Sequence, residues 1–414
     1  MSVREAVPLT VEHFSDVASL ERDLGTRHGC VPILLPDGMP AWLVLGNAEM
    51  KEALSHPGLV RGVSAANEKL MPYLTLANSD FPLSRHLLFA DQPDHGRMKE
   101  SVKKAFTRSQ VEKLRPWMTD FTHGLIDEIV ERGEADFIPA VALPLPIAVI
   151  SEVLGVEEDR RADFEARAAV ITGVNTSANG ADIAAAGEWF DAFAGELLAA
   201  RRVEPRDDVM TTMAEAVDDG RMTEREARSN AFLFLSAGFE TTVNLLANGL
   251  LALLRHREQL RLFREDRSRD ATLRGLEEML RYDSAVSGIT YRFAADDLQL
   301  AGVSIPKGDH VAICLPTANH DERAVSCPAR FDVRRETNPH LSFGHSTHYC
   351  IGAPLARLEG EVAFRVTVDR LADLELAVPE EKLTWKPSFT VHRLSRLPVR
   401  FRPGARRAPG EGRS

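Results

Sequence analysis

The chain is poor in cysteine, in positive charge and in uninterrupted apolar runs. Only four of its 414 residues are cysteine: Cys30, Cys314, Cys327 and Cys350. None lies in a Cys-x-x-Cys pair, which argues against structural zinc at its common spacings and against thioredoxin-like exchange, and leaves no site for covalent attachment of a c-type haem. Cysteines this few and scattered suit a reducing compartment, so the expected location is the cytoplasm. Acidic residues outnumber basic ones 61 to 50, for a net charge of −11, the wrong sign for a nucleic-acid face. Residues 1–20 carry Glu5, Glu12 and Asp16 and no apolar core, so no signal peptide is expected. The apolar stretch 137–156 is interrupted by Pro139, Pro144 and Pro146 and is marginal in length for a membrane span. It reads as buried core, and no membrane partner is expected.

What is present is a large apolar fraction, 44%, ample for a sizeable core. Two stretches stand out. The first is Phe343-Gly344-His345-Ser346-Thr347-His348-Tyr349-Cys350-Ile351-Gly352, followed by a helical run from Ala353 to Phe364 with Pro354 in its first turn. A cysteine just ahead of a helix lies among free backbone N–H groups and the positive end of the dipole, and both favour thiolate. Gly352 lets a flat ligand lie close to the backbone. A lone cysteine is otherwise most simply a buried structural residue. The second stretch follows Thr223-Glu224-Arg225-Glu226, which reads as a capping box. The helix it opens is apolar on nearly all sides, with Leu233, Phe234, Leu235, Leu245, Leu246, Leu250, Leu251, Leu253 and Leu254, and so is expected at the centre of the core. In its middle stand Ala237-Gly238-Phe239-Glu240-Thr241-Thr242, a small pair, an acid and two hydroxyls. Glycine there costs about 1 kcal/mol relative to alanine, and an unpaired buried carboxylate costs several kcal/mol. Leu233, Ala237 and Thr241 share one face. A packing notch with a salt-bridged glutamate is the plain alternative.

These two stretches resemble the cytochrome P450 family. Phe343, His348, Cys350 and Gly352 match its haem loop, with Ser346 where the family usually has glycine. Ala237–Thr242 looks like its oxygen-binding groove. The order of further matches agrees: His95, Ala237–Thr242, Glu278–Arg281, Pro328–Phe331, then Cys350. The resemblance covers about residues 32–402. It implies a mainly α fold with a small β-rich lobe and a long central helix over the haem, in one domain at 1–403; the tail 404–414, rich in Gly, Pro and Arg, is expected to be disordered by its composition. It implies haem b with Cys350 as the axial thiolate on iron, and Phe343 and Gly352 shaping the loop. It further implies His95, Arg292 and His348 on the haem carboxylates, helped by Lys99 where the family has arginine. Lys99 keeps the charge without the bidentate fork. Ala237 and Gly238 would leave room for O2. Thr241 would hydrogen-bond it and Glu240 would feed it protons, while the thiolate pushes electron density toward O–O cleavage. Glu278, Arg281 and Arg330 would form a structural lock.

The implied activity is insertion of one oxygen atom from O2 into a small hydrophobic substrate, of the secondary-metabolite kind. Electrons would come from a ferredoxin and its NAD(P)H-dependent reductase, docking near Lys99, Lys103, Lys104 and Arg357, with a monomer expected. Coupling or desaturation at the same haem, a non-catalytic haem carrier, and a cysteine hydrolase built on Cys350 are the rivals. Substrate-facing positions are expected at 70–89, 168–180, Leu233, Ala237, 285–289 and Phe389-Thr390. Elsewhere the pattern predicts a hairpin across Pro36-Asp37-Gly38, helices at 47–56, 111–132, 148–154, 160–174, 181–202 and 276–282, and short strands between 289 and 315.

Overall fold

Thr223 opens the longest helix as its spacing predicts. Its hydroxyl accepts from the Glu226 amide at 3.2 Å, and the Glu226 carboxylate accepts from the Thr223 amide at 2.8 Å. The helix runs from Glu224 to Arg255, 32 residues or about 48 Å. The computed structural model describes residues 6–14, 16–74, 83–171, 180–289, 292–388 and 390–408. Around the central helix pack the helices Pro144–Leu154, Gly180–Val203, Arg269–Tyr282 and Ala353–Arg370. Its leucines from Leu245 to Leu254 sit in the largest apolar cluster with Phe364 and Met279, and Leu233 to Leu235 sit in a second cluster with Phe190 and Phe193. Among the described residues this is the one helix long and apolar enough to cross a membrane, and 78% of its most apolar window is buried inside the protein.

The β-rich lobe is built on the expected hairpin. Gly29–Leu34 pairs antiparallel with Pro40–Leu45, and the turn uses Gly38 at φ +87°. Val311–Cys314 joins parallel to Pro40–Leu45 and Gly288–Ile289 closes that side, giving a five-stranded sheet with Val7–Pro8 at its other edge. This pairing brings residues from the 288–314 region against the N-terminal lobe and so places Arg292, whose carbonyl accepts from the Val311 amide at 2.8 Å.

Three helices differ clearly from expectation, the 276–282 helix by starting already at Arg269 behind the N-cap Ser268. The predicted 111–132 helix is split into Arg108–Glu112 and Arg115–Asp127, because Pro116 has no N–H to continue the first and suits the opening turn of the second. The predicted 148–154 helix starts earlier, at Pro144, for the same reason: Pro144 and Pro146 occupy the first turn, where no intrahelical donor is needed. Leu145, Ile147 and Val149 are buried, as the apolar reading of this stretch requires.

The buried lock also needs correction. Glu278 and Arg281 are both fully buried and paired through Nε and Nη2 at 2.8 Å. The third member is Arg335, whose Nε donates to Glu278 at 2.9 Å, and not Arg330. Phe331 enters the core, which turns the neighbouring Arg330 side chain outward to Asp332, with 69% of it exposed. Only the Arg330 carbonyl takes part, accepting from Arg281 and Arg335. At the C-terminus, residues 404–408 form no helix or strand but are tied to the Arg115–Asp127 helix and its end, through Gly404 N to Val130 O at 3.0 Å and Arg407 N to Asp127 at 3.1 Å. Residues 409–414 lie outside the described residues.

Candidate functional site

The Cys350 loop hangs from a hydrogen-bonded floor. Leu341 N donates to Asn319 Oδ1 at 2.8 Å, Asn319 Nδ2 to Ser342 Oγ at 2.9 Å, and Ser342 Oγ to the Leu280 carbonyl at 2.6 Å. Above it Gly344 turns at φ +73°, residues Ser346–His348 form one 3₁₀ turn, and Cys350 N closes the loop onto the Phe343 carbonyl at 2.9 Å. The Arg357 guanidinium lies 4.4 Å from the centre of the Phe343 ring, pinning it. Gly352 caps the helix Ala353–Arg370. A Cβ there would meet nothing nearer than Cys350 Sγ at 3.8 Å, so the space beside the thiol is open.

The Cys350 side chain is exposed at the surface of its slot, yet protein packs closely around it. This burial pushes its pKa up. Hydrogen bonds from the Gly352 and Ala353 amides and the charges of Arg357 and Lys99 pull it back down, as the helix terminus predicts, but burial outweighs them. Coordination to a metal would displace the thiol proton and remove the conflict.

Ser346 carries the strain expected of a missing glycine, with φ at +62°. A left-handed conformation costs a non-glycine residue about 1–2 kcal/mol, partly offset by the about 0.5–1 kcal/mol of extra chain entropy that glycine loses on folding. Ser346→Gly should therefore stabilise the protein slightly, by up to about 1 kcal/mol. A denaturation midpoint that falls instead would show that the serine contributes something the backbone geometry does not reveal.

Beside the loop the fold gathers basic side chains. His95, on the helix Asp94–Val102, is buried and its ring lies 4.1 Å from that of His348. Lys99, one turn on, donates from Nζ to the Thr347 carbonyl at 2.6 Å. Arg292 is buried close enough to His348 to act on its charge, and so is Arg61, which sequence reasoning did not single out. Arg61 follows the short strand Leu59–Val60, and its amide and that of Gly62 donate to Asp91 at 2.8 Å. Burial lowers the pKa of His95, His348, Lys99 and Arg292 and takes Arg61 down to about 10. The mutual repulsion of these groups adds to the shift at His95, His348 and Arg292, while Asp91 opposes it at Arg61, Arg292 and His95. Arg61 Nε, Arg292 Nη1 and His95 Nδ1 are buried without a hydrogen-bond partner. Orphaned donors in a patch with excess positive charge suit an anionic ligand with more than one acceptor group.

The central helix has an accessible face of its own. In the middle of the helix Ala237 is exposed and Ser236, Gly238, Glu240 and Thr241 are partly accessible, while Thr242 to Leu254 are buried. Thr241 Oγ1 donates to the Ala237 carbonyl at 2.7 Å, and Thr242 Oγ1 to that of Gly238 at 3.0 Å, the backward bonds that such hydroxyls make in helices. Glu240 is not unpaired. Arg393, in the C-terminal hairpin strand Arg393–Leu394, donates to it at 2.8 Å. Burial still raises the Glu240 pKa, against the opposing charges of Arg393 and Lys386. The alternative of a salt-bridged glutamate thus holds for its pairing, and the accessible face holds beside it.

The basic docking face is weaker than the sequence implies. Lys103 pairs with Glu100 at 2.6 Å, Arg357 with Glu277 at 2.6 Å, and Lys99 is turned onto the loop. Of the expected substrate-facing positions, Ser287 and Gly288 lie beside Thr390, whose carbonyl accepts from the Ser287 amide at 2.9 Å. Phe389, residues 75–82 and residues 172–179 lie outside the described residues.

These parts fit haem. Among the described residues no group of three or more His, Cys, Asp or Glu is placed to hold a metal ion. A metal beside Cys350 would have to bring most of its own ligands, as a porphyrin does. The orphaned donors of Arg61, Arg292 and His95 could take haem's two carboxylates.

Known proteins agree. The family model for Cytochrome P450 matches residues 270–392. The chain is 40% identical to Cytochrome P450 107B1 of Saccharopolyspora erythraea, over 89% of this chain and 91% of that protein. It is 36% identical to the cytochrome P450 monooxygenase PikC of Streptomyces venezuelae, over 89% and 87%. The ligand-free structure of the P450 monooxygenase TamI superposes with a TM-score of 0.86 at 35% identity, covering 95% of this chain and 94% of that one. CxnD, a P450 for C–S bond formation in chuangxinmycin biosynthesis, also superposes at 0.86, with 36% identity over 97% and 98%. Relatives that share more than a third of their residues along nearly the whole chain, and the fold with them, share the cofactor and the kind of chemistry too: the chain belongs to the cytochrome P450 family of haem-dependent monooxygenases.

Proposed function

We propose that this enzyme oxygenates a hydrophobic natural-product intermediate at a haem held between Cys350 and the Ala237–Thr241 face of the central helix. The observation that carries this reading is the exposed Cys350 thiol at the helix start together with the unpartnered buried donors of Arg61, Arg292 and His95. Cys350 is the protein ligand to iron. Arg292, His95 and His348, with Lys99 and also Arg61, hold the haem carboxylates, and Phe343 and Gly352 shape the loop around the thiol. When bound, the haem supplies activation of O2 by two electrons, so that one oxygen atom enters the substrate and the other leaves as water.

The chain's own residues do the rest. Ala237 and Gly238 keep the helix face low enough to admit O2. Thr241 orients a hydrogen bond toward the reacting site, and Glu240 supplies protons to it. The electrons come from a ferredoxin and an NAD(P)H-dependent ferredoxin reductase, which dock on the side carrying Lys99, Lys103, Lys104 and Arg357. The enzyme acts as a monomer in the cytoplasm, the location that its few, scattered cysteines suit. The substrate class is supported by relatives whose names place them in polyketide biosynthesis, such as PksS of Bacillus subtilis, and by the apolar Leu233 next to Ala237 on the helix face.

Turnover under 18O2 with a ferredoxin, its reductase and NAD(P)H tests the reading. Compounds that convert the haem from low to high spin serve as candidate substrates, and one labelled oxygen atom is expected in the product. Product without label would identify coupling or desaturation at the same site, the reading that the C–S-bond-forming neighbour favours. NAD(P)H that is never consumed would identify a haem carrier.

A further inference from the structure

The C-terminal half of the central helix carries amides where its surroundings call for hydrocarbon. Asn244 and Asn248 are buried to 1% and 0% exposure among leucines. They follow Glu240 by one and two turns, drifting only about 40° per step, so the three form one stripe. Asn244 Nδ2 and Asn248 Oδ1 have no hydrogen-bond partner in the protein. Buried amides are rarely left so, and ordered water is the usual partner.

The stripe has a roof and an exit. Asn248 Nδ2 donates to the His392 carbonyl at 3.0 Å and to Asp283 Oδ1 at 3.3 Å. His392 Nδ1 and Asp283 Oδ1 are 2.7 Å apart, and both side chains reach solvent, with 16% and 14% exposed. Trp385 stacks flat on the His392 ring at 3.7 Å and fixes it. The next residue, Arg393, grips Glu240 at 2.8 Å. The hairpin backbone therefore meets the helix at Asn248 while the Arg393 head group meets it roughly 12 Å away along the axis, at Glu240. The Arg393 side chain must pass the Asn244 turn between them.

We propose that Asn244 and Asn248 hold a file of ordered water, roofed by Arg393, that conducts protons from the Asp283–His392 pair at the surface to Glu240. The inference rests on the proton-supplying role of Glu240. Each proton that Glu240 gives up is replaced through the file from solvent, so no residue along it changes charge over a turnover. Asn244, Asn248 and Arg393 are positioning residues, since they touch the water and Glu240 and not the reacting atoms.

The test combines two measurements on the haem-loaded protein. In wild-type enzyme labelled with 15N-asparagine, the side-chain amides of Asn244 and Asn248 should show magnetisation transfer from water despite their burial. In Asn244→Leu and Asn248→Leu, shape-matched but apolar, product formed per O2 consumed should fall and hydrogen peroxide should rise. Turnover should drop roughly tenfold, part of the about 10²–10⁴ a positioned proton donor contributes, with a larger solvent isotope effect. Glu240→Gln should show the same defect more strongly. A dry stripe without water transfer overturns the route and needs no variant to fold. A defective Glu240→Gln beside asparagine variants that couple within twofold of wild type also overturns the route, leaving the role of Glu240 intact. An unaffected Glu240→Gln overturns that role and the route together.

Discussion

Cys350→Ala is expected to abolish the strongly red-shifted Soret band of the reduced enzyme under carbon monoxide, and Cys350→His to replace it with a band at shorter wavelength. The shift arises because a thiolate pushes electron density onto iron, and an imidazole or water does so far less. The effect should be complete, since the other cysteines are remote from this chemistry. Cys30 and Cys314 are buried, with thiols pushed up to about 12 by desolvation, and Cys327 belongs to the segment below the Glu278–Arg281 lock. Haem should still bind to Cys350→Ala, less tightly, because Arg61, Arg292, His95 and His348 are untouched. Absorbance spectra of the purified variants decide the matter. A far-red band that survives would remove Cys350 from the iron, and a wild-type protein that lacks it would put the strained Ser346 turn under suspicion.

The second large effect falls on stability. Glu278 accepts five hydrogen bonds, two from Arg281 and one each from Arg335 Nε, Asp332 N and Asn338 Nδ2. Glu278→Ala leaves the fully buried Arg281 without its counter-charge, a change that costs about 3–5 kcal/mol. Against a total of about 5–15 kcal/mol that is at least about a fifth of the stability of a typical domain. Arg330→Ala should cost less than about 0.5 kcal/mol, as an exposed position away from the core. Thermal or denaturant melts of the two variants separate the assignments. Equal losses would return Arg330 to the lock and displace Arg335.

Local chemistry explains what could be read in advance. The capping box at Thr223, the hairpin at Gly38 and the loop from Phe343 to Gly352 are written in adjacent residues, so their spacing alone specifies them. Arg335 was missed because the choice between it and Arg330 depends on which way Phe331 turns the chain, and that is decided by the core. Arg61 follows a two-residue strand with no motif around it, and only its orphaned Nε beside Arg292 and His95 marks it. Arg393 is invisible for the same reason. It reaches Glu240 across 153 residues of chain, and nothing near either end announces the partner. The prolines at Pro144 and Pro146 misled in the opposite sense, since a residue that breaks a helix in its interior starts one at its N-terminus.

The hydrogen-bonded floor under the Cys350 loop bears on how the holoenzyme is made. Asn319, Leu280 and Ser342 fix both the height and the direction from which the loop rises, and they do so through protein groups alone. The conformational freedom of this segment is therefore lost when the chain folds, before any cofactor arrives. A newly synthesised apoprotein would present its thiol already aimed, and cofactor capture becomes a matter of docking a rigid plate into a preformed slot rather than of moulding the polypeptide around it. The same rigidity has an evolutionary side. Variation can accumulate in elements that do not touch this floor without disturbing how the Cys350 loop is held, which gives one scaffold room to serve many different small molecules.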